Sequence, residues 1–522
     1  MNARDGADGR ASPSDAAGRA TAPRGKVFLV GAGPGDPGLL TLKAARAIAS
    51  CEVLVYDYLA SAPIVALAPP GCETIYVGKR AGAHTLSQDE ITALVVRLGR
   101  DGKRVVRLKG GDVFVFARGG EEARALHAAG VPFEIVPGIT SALAAPAYAG
   151  IPLTHRDYNS AFTVATGHED PSKNGSSLDF SKLADPSQTL VLLMAMSNLS
   201  GIVAELRRHG LPADMPVAIV REGTKPQQET LVATLDTIVA EVDRRGFAAP
   251  AIVVIGRVVA ERERLRWFDT GPLFGKKILI TRAALDAHAF AARLWEIGAE
   301  PLVAPTIAIQ PPDDLDGAEI AVRDVRIYHW VVFTSRHAVD AFFMRLRARG
   351  ADARALGDTS VAAIGPKTAE RLLSHGVVAD FVPASYVGEA VAQGLIERTQ
   401  PGQRVLLYRA AEAREALPAM LRAAERDVDV VAAYKTVALR DAEIPRQAQA
   451  ADVWTFTSAS TVRAFCDNVP LADCGMESKI VACIGPIAAE AARANGLRVD
   501  VVAAEFTVEG LLDALESAYT RR

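Results

Sequence analysis

The C-terminal half of the chain states one pattern twice, and that repetition restricts its fold more than any single motif does. Ile280-Thr281-Arg282-Ala283 is echoed by Leu407-Tyr408-Arg409-Ala410. Val332-Phe333-Thr334-Ser335-Arg336-His337-Ala338-Val339 is echoed by Thr455-Phe456-Thr457-Ser458-Ala459-Ser460-Thr461-Val462, and Ala363-Ile364-Gly365-Pro366 by Cys483-Ile484-Gly485-Pro486. The offsets are 127, 123 and 120 residues, nearly constant. Such spacing marks two units of one design. Each has apolar strands that end in Thr-Arg, Thr-Ser or Gly-Pro and feed a helix, which is an α/β pattern. Taken alone, the repeat places a cut near residue 400.

The N-terminal half is α/β as well. Lys26-Val27-Phe28-Leu29-Val30 runs into Gly31-Ala32-Gly33-Pro34-Gly35-Asp36-Pro37-Gly38, then a helix over 39–50 and a strand over 52–56 that ends at Asp57. A strand, glycine turn, helix and strand in that order predict a parallel unit with a ligand at the strands' carboxyl ends. The dinucleotide fingerprint GxGxxG is a poor match. The glycines stand at Gly31, Gly33 and Gly35 with Asp36 where the third should be, and Pro34 removes a donor that a pyrophosphate would use. Further strands are expected at 74–77, 105–108 and 133–136, with a Ser-capped helix over 87–98.

Arg107-Leu108-Lys109 leads into Gly110-Gly111-Asp112, a short aromatic run, and Gly119-Gly120-Glu121-Glu122. The glycine pair allows φ > 0 or a close approach to a ligand. The acids suit the first turn of a helix. Pro137-Gly138-Ile139-Thr140-Ser141 is another tight turn before a helix. Strands follow at 162–166, 189–194, 217–220, 229–234 and 251–255, with a polar surface loop over 168–187. Residues 261–274 break the pattern and read as a linker.

With 49% hydrophobic and 23% charged residues and a net charge near −3, the composition is that of an ordinary globular chain. No excess of base argues for nucleic acid. The apolar runs 190–196 and 251–260 are far shorter than the ~20 residues of a membrane span. Residues 1–25 are too poor in apolar side chains to order themselves, and they lack a secretory h-region. Cytoplasmic location follows as an expectation. The cysteines Cys51, Cys72, Cys466, Cys474 and Cys483 have no metal-ligand spacing. No metal site is expected. Asp57 and Lys79 at strand ends, among Arg107, Lys109, Arg118 and Arg156, would serve acid–base chemistry on an acidic substrate beside a bound cofactor. In the C-terminal half, Ser, Thr and backbone amides at helix starts suit anionic groups.

Val30 to Pro37, Val77-Gly78-Lys79-Arg80, Arg107 to Glu122, Val136 to Ser141 and Ala147 to His155 resemble the uroporphyrinogen-III C-methyltransferase family, in order across residues 26–260. The resemblance implies two α/β lobes around S-adenosylmethionine. It also implies two methylations of uroporphyrinogen III, at ring positions C2 and C7, giving precorrin-2 for siroheme or cobalamin. By that resemblance Pro34, Gly110, Gly111, Asp112, Val115, Thr140, Ser141, Met194 and Gly223 would line the cofactor. Asp57 would be proton acceptor and Lys79 proton donor, and Arg107, Arg118 and Arg156 would bind substrate. The family more often has Pro at Val113 and Gly at Ala117, which leaves the contour of this turn open. It also implies a homodimer.

Residues 275–522 are similar to uroporphyrinogen-III synthase through the repeated Thr-Ser and Ile-Gly-Pro elements and Tyr434-Lys435-Thr436-Val437. That family closes hydroxymethylbilane into a ring with inversion of the last pyrrole and loss of water. The resemblance implies lobes of about 275–306 plus 437–522, and 307–436. Tyr434 would assist departure of the hydroxyl, and Thr281, Arg282, Ser335, Thr368 and Ser458 would bind substrate. The dehydrogenase–chelatase module of some siroheme synthases is not expected. Two other readings stay open: a methylase of another corrinoid precursor with an inactive C-terminal binding module, and a non-catalytic tetrapyrrole carrier.

Overall fold

A computed structural model of the chain describes residues 25–78, 86–168 and 178–521. The expected tail over 1–24 and Lys79 lie outside the described residues. The chain divides into two compact units, the first running to Lys276 with residues 292–300, the second holding 277–291 and 301–522.

In the first unit, five parallel strands lie in the order Glu73–Tyr76, Val53–Tyr56, Arg104–Lys109, Lys26–Gly31, Phe133–Val136. Alternate residues of each strand feed opposite layers. Phe28, Val30, Leu54, Val106 and Leu108 pack with the helix Leu42–Ile48, while Val27, Leu29, Val53, Val55 and Val105 pack with Gln88–Arg100 and Gly119–Ala128. Burial on both faces is why these strands read as continuous apolar runs. Ser87 caps its helix through a reciprocal box with Glu90. The helix expected over 39–50 starts later, at Leu42, because Thr41 accepts the amide of Ala44 and Pro37–Leu39 forms a separate 3-10 turn.

A second sheet of this unit runs Phe162–Thr166, Thr189–Leu193, Ala251–Ile255, Pro216–Arg221, Glu229–Thr234. The first pair is parallel and the other pairings are antiparallel. The helix Ser141–Tyr148 follows the last strand of the first sheet but buries Ala142 and Ala145 against Val191, Val220 and Val254 of the second, joining the two. Of the expected loop over 168–187, residues 169–177 lie outside the described residues and Phe180–Leu183 is a short helix; the strands on either side, Phe162–Thr166 and Thr189–Leu193, are neighbours in the second sheet.

The expected linker is a docked segment. Phe268 is buried, and the ring centroids of Tyr148 and Phe268 are 4.8 Å apart. Trp267 Nε1 donates to the Ala147 carbonyl at 3.1 Å, and a buried Arg262–Asp269 ion pair closes the turn. Its aromatic and charged residues, which broke the strand–helix pattern, are what hold it in place.

The second unit has two sheets. One orders Glu300–Val303, Lys277–Ile280, Val453–Phe456, Ile480–Cys483 and Val501–Val502; the other orders Ile307–Gln310, Asp427–Ala438, Arg404–Ala410, Trp330–Phe333 and Ser360–Ala363. The chain thus leaves the first sheet near residue 304 and returns after Ala438. The sequence repeat maps onto equivalent strands, for Lys277–Ile280 and Arg404–Ala410 each border the strand that ends in Thr-Ser, and that strand borders the one ending in Gly-Pro. Asp380 accepts the amide of Val361 at 2.7 Å, and Asp500 accepts that of Val481 at 2.9 Å.

Candidate active sites

In the first unit the loops leaving the carboxyl ends of the parallel strands meet through glycine backbone. Gly33 and Gly111 exchange amide–carbonyl hydrogen bonds of 3.1 and 2.7 Å. A Cβ on Gly31 would lie 2.5 Å from the Gly138 nitrogen, and one on Gly138 would lie 2.3 Å from the Gly111 oxygen. No side chain fits there, so three loops share one cradle. Gly111 has φ 68°, and a Cβ on it would sit 3.9 Å from Thr140 and Ser141. A Cβ on Gly110 would strike Leu59, and one on Gly223 would strike Ala145 at 2.5 Å. Thr224 Oγ1 accepts the Asp36 amide at 3.3 Å, and Tyr148 donates to Asp36 at 2.6 Å. The expected cofactor residues Pro34, Gly110, Gly111, Asp112, Thr140, Ser141 and Gly223 therefore lie on loops that touch. Val115 is partly exposed beside them, its amide on Asp112 at 3.1 Å. Met194 caps the carboxyl end of Thr189–Leu193 and is 48% exposed, so it is not core filler.

Asp112 is a tie between loops. Its Oδ1 accepts the amides of Phe114 and Val115, and its Oδ2 accepts that of Gly138 at 3.1 Å. A carboxylate engaged this way positions the turn, where the sequence suggested direct contact with a ligand. Backbone strain collects on the loops that leave strand ends in this unit: Phe116, Arg118, Met194, Glu222 and Thr224 all have positive φ. Strained non-glycine residues cluster where a site over-determines the backbone. Sequence gives no signal for such angles, except that Glu222 and Thr224 flank Gly223.

Asp57 follows Val53–Tyr56, and Arg107 on the adjacent strand reaches its Oδ2 at 3.2 Å. Arg107 is 2% exposed and continues to Glu122 at 3.4 Å and the Leu108 carbonyl at 2.8 Å. Glu122 Oε1 also accepts Lys109 at 3.0 Å and Gln88 at 2.9 Å, while its buried Oε2 has no partner among the described residues. Burial, then the neighbouring Arg107 charge, holds Lys109 below the ordinary lysine range against the opposing pull of Glu122. The expectation that Arg107 binds substrate needs correcting, since its guanidinium is enclosed and holds Asp57 instead. Arg118 is exposed and paired with Glu121 at 2.9 and 2.6 Å, and Arg156 is exposed. Partial burial, then the negative charges of Asp57 and Glu222, holds the pKa of the Tyr58 hydroxyl above its ordinary value. Sequence marks Glu122 only as an acid of a helix's first turn and does not mark Gln88 or Thr224, because their partners are remote in the chain.

In the second unit Tyr434 is buried, and its hydroxyl lies 3.0 Å from Ser335 Oγ. Ser335 also caps the helix Arg336–Ala348, accepting the Ala338 amide at 3.1 Å. Burial pushes the pKa of the Tyr434 hydroxyl up, the hydrogen bond with Ser335 opposes this, and the charge of Asp286 adds to it. Asp286, from the helix Ala284–Glu296, pairs with Arg336 and lies 3.3 Å from His337 Nε2. Burial works to raise its pKa, but the hydrogen bonds from His337 and Arg336 outweigh it and hold the carboxyl well below the usual range. Burial holds Arg282 below the ordinary arginine range, and it feels the charges of Asp286, Arg336 and Glu509. Ser458 caps its own helix and bonds Ser460 at 2.8 Å. Two expected binding residues face inward: Thr281 is fully buried and donates to the Thr455 carbonyl at 2.8 Å, and Thr368 is 5% exposed. Thr281 thereby joins two neighbouring strands, and Thr368 lies in the first turn of the helix Pro366–Ser374.

Among the described residues no group of His, Cys, Asp and Glu could hold a metal ion, and no helix is long and apolar enough to cross a membrane.

Residues 26–239 match the family model described as tetrapyrrole (corrin/porphyrin) methylases, and residues 288–513 match that described as uroporphyrinogen-III synthase HemD. The porphyrin biosynthesis protein HemD of Ruminiclostridium josui is 38% identical over 497 residues, covering 94% of this chain and 97% of that one. An S-adenosyl-L-methionine-dependent uroporphyrinogen III methyltransferase of Methanosarcina barkeri is 53% identical over 235 residues, 45% of this chain and 92% of that one. The crystal structure of a Thermus thermophilus uroporphyrin-III C-methyl transferase, complexed with S-adenosyl homocysteine, is 40% identical. It spans 45% of this chain and 99% of that one, with a TM-score of 0.39.

Proposed function

The chain belongs to the family that joins a tetrapyrrole methylase to a uroporphyrinogen-III synthase, and from that premise we propose how its residues divide the work. It is a bifunctional enzyme of the siroheme and cobalamin branch, a uroporphyrinogen-III synthase and a uroporphyrinogen-III C-methyltransferase that uses S-adenosylmethionine. The reaction order is ring closure of hydroxymethylbilane by residues 275–522, then methylation at C2 and C7 by residues 26–260, to give precorrin-2.

The cradle of Gly31, Gly111 and Gly138 suits the cofactor, because no side chain fits there and the exposed apolar Leu59 lies against Gly110, with exposed Val115 and Phe116 on the loop that follows. When bound, S-adenosylmethionine supplies an electrophilic methyl group on a sulfonium. Pro34, Gly110, Gly111, Val115, Thr140, Ser141, Met194 and Gly223 would hold it, with Asp112 fixing the turn. A pyrrole carbon that accepts a methyl group leaves the ring with one proton to give up. Asp57 accepts it at its carboxylate, and Arg107 fixes that carboxylate while favouring its charged form. The Asp57–Arg107 pair is the observation that carries this assignment. Lys79 is proposed as donor, and Arg118 and Arg156 as contacts for the acidic arms of the ring.

In the synthase half Tyr434 hydrogen-bonds the departing hydroxyl of the open-chain substrate, with Ser335 orienting it. Arg282, Ser335 and Ser458 face the substrate. A homodimer through residues 26–260 and a cytoplasmic setting belong to the same reading. The test is incubation with hydroxymethylbilane and S-adenosylmethionine, followed by mass spectrometry and ring-isomer analysis of the product. A dimethylated type-III ring is expected. A type-I ring alone would refute the synthase assignment, and an unmethylated type-III ring would refute the methylase assignment. Asp57→Asn is expected to stop methylation and leave ring closure intact.

A further inference from the structure

In the second unit the carboxylate of Asp286 bridges two sheets that the chain threads separately. Asp286 sits on the helix that follows the strand Lys277–Ile280, and Arg336 and His337 open the helix that follows Trp330–Phe333 in the other sheet. One carboxylate oxygen takes Arg336, and the other lies 3.3 Å from His337 Nε2. The same His337 ring stands edge-on to Tyr434, with centroids 5.6 Å apart. An acid is therefore held by a guanidinium and an imidazole immediately beside the tyrosine assigned to hydroxyl departure. Arg282 also feels the charges of Asp286, Arg336 and Glu509. Fork-shaped arginine donors with an adjacent imidazole are a recognition set for a carboxylate.

We propose that Arg336 and His337 form a binding site for a carboxylate arm of the tetrapyrrole, and that Asp286 occupies it between turnovers as an internal competitor. The inference rests on the reading of residues 275–522 as a synthase of a polycarboxylate ring. Incoming substrate exchanges one carboxylate for another. The basic pair is thereby never left unpaired, and release of Asp286 frees the two sheets to adjust around the ligand. Asp286 is partly exposed, with 15% of its side chain accessible, so the exchange needs no deep desolvation.

The test uses the full chain. Asp286→Asn removes the competitor and is expected to lower KM for hydroxymethylbilane by about fivefold, the order expected of one partly exposed ion pair. It should tighten binding of uroporphyrin III, a non-reactive ring with the same arms, by a similar factor in a fluorescence titration. Arg336→Gln is expected to raise both constants, and in the double variant the gain from Asp286→Asn should disappear. If Asp286 is a structural latch alone, Asp286→Asn lowers the melting temperature and leaves KM and porphyrin affinity unchanged or weakened. That result would overturn the inference. A wild-type chain that forms no type-III ring would instead fail the synthase reading, and the porphyrin titration would still decide between competitor and latch.

Discussion

Glu122→Gln probes the buried relay behind Asp57. Glu122 is 1% exposed, and a single oxygen receives Gln88, Arg107 and Lys109. Replacing the charge leaves Arg107 with Asp57 as its remaining acid and leaves Lys109, itself 4% exposed at the side chain, beside Arg107. Removing one member of a buried pair costs about 3–5 kcal/mol. A ceiling comes from Lys109, because the variant can shed that proton. From the ordinary value of 10.5, losing it at pH 7 costs about 5 kcal/mol, and at pH 9.5 about 1 kcal/mol. The sign follows from linkage. A lysine whose folded pKa is depressed binds fewer protons folded than unfolded, so stability rises with pH until the unfolded lysine also deprotonates. The deficit of the variant relative to wild type is thus expected at about 3–5 kcal/mol at pH 7 and at about 1 kcal/mol at pH 9.5. Urea unfolding read by pulse proteolysis, with fragments from residues 26–260 scored apart from the rest, measures it at both pH values. A deficit under 1 kcal/mol at pH 7, or one that does not shrink at pH 9.5, would refute the assignment of Glu122 as the counter-charge of this relay.

Gly138→Ala places a Cβ 2.3 Å from a backbone oxygen and is expected to cost about 1–3 kcal/mol and to abolish calorimetric binding of S-adenosylhomocysteine; Gly120→Ala meets nothing within 4 Å and should be neutral or slightly stabilising. Tyr434→Phe keeps the buried ring and removes the hydroxyl bonded to Ser335, so ring closure should slow by about 10-fold or more with methylation of supplied uroporphyrinogen III unchanged. Burial, reinforced by the contact with Cys72, pushes the Cys51 thiol up to about 12, and burial takes Cys466 and Cys483 to about 11. These thiols should resist iodoacetamide at pH 8 until the chain is unfolded, and the stability they lend, complete below their ordinary 9.0, should fall as pH rises through 11–12. Mass-spectrometric counting of labelled cysteines checks this, and rapid native labelling of Cys51 would contradict it.

Strand positions were legible because burial on two faces leaves uninterrupted apolar runs such as Val27 to Val30 and Leu190 to Leu193, bounded by turn residues. The glycine cradle was legible for a similar reason: residues that cannot carry a side chain announce themselves. What the chain hides is partnership. Asp112 was marked as a site residue, yet nothing in its neighbours says that its carboxylate is taken by Gly138, 26 positions away. Arg107 was grouped with the surface cations, and its burial depends on Glu122 and Asp57 arriving from other elements. The segment over 261–274 lost its regular pattern because it packs by single contacts, Phe268 and Trp267 on the helix Ser141–Tyr148, and not by a repeating face.

The repeat of the second unit shows where symmetry stops and chemistry starts. Ser335 and Ser458 are matched helix caps, each accepting the amide three residues on, and Gly365-Pro366 and Gly485-Pro486 open matched helices. The scaffold alone therefore offers two like helix starts, one on each sheet. At the positions that follow the caps, Arg336 and His337 are answered by Ala459 and Ser460, which carry no charge. Tyr434 bonds Ser335, whereas Ser458 is bonded to Ser460 and Thr461 within its own turn. The basic pair and the tyrosine fall on the same cap, and the acid that answers them, Asp286, comes from the opposite sheet. An enzyme that must treat the last pyrrole of a chain differently from the others needs such a lopsided pair of lobes, since two equal halves would hold the substrate in two equivalent orientations.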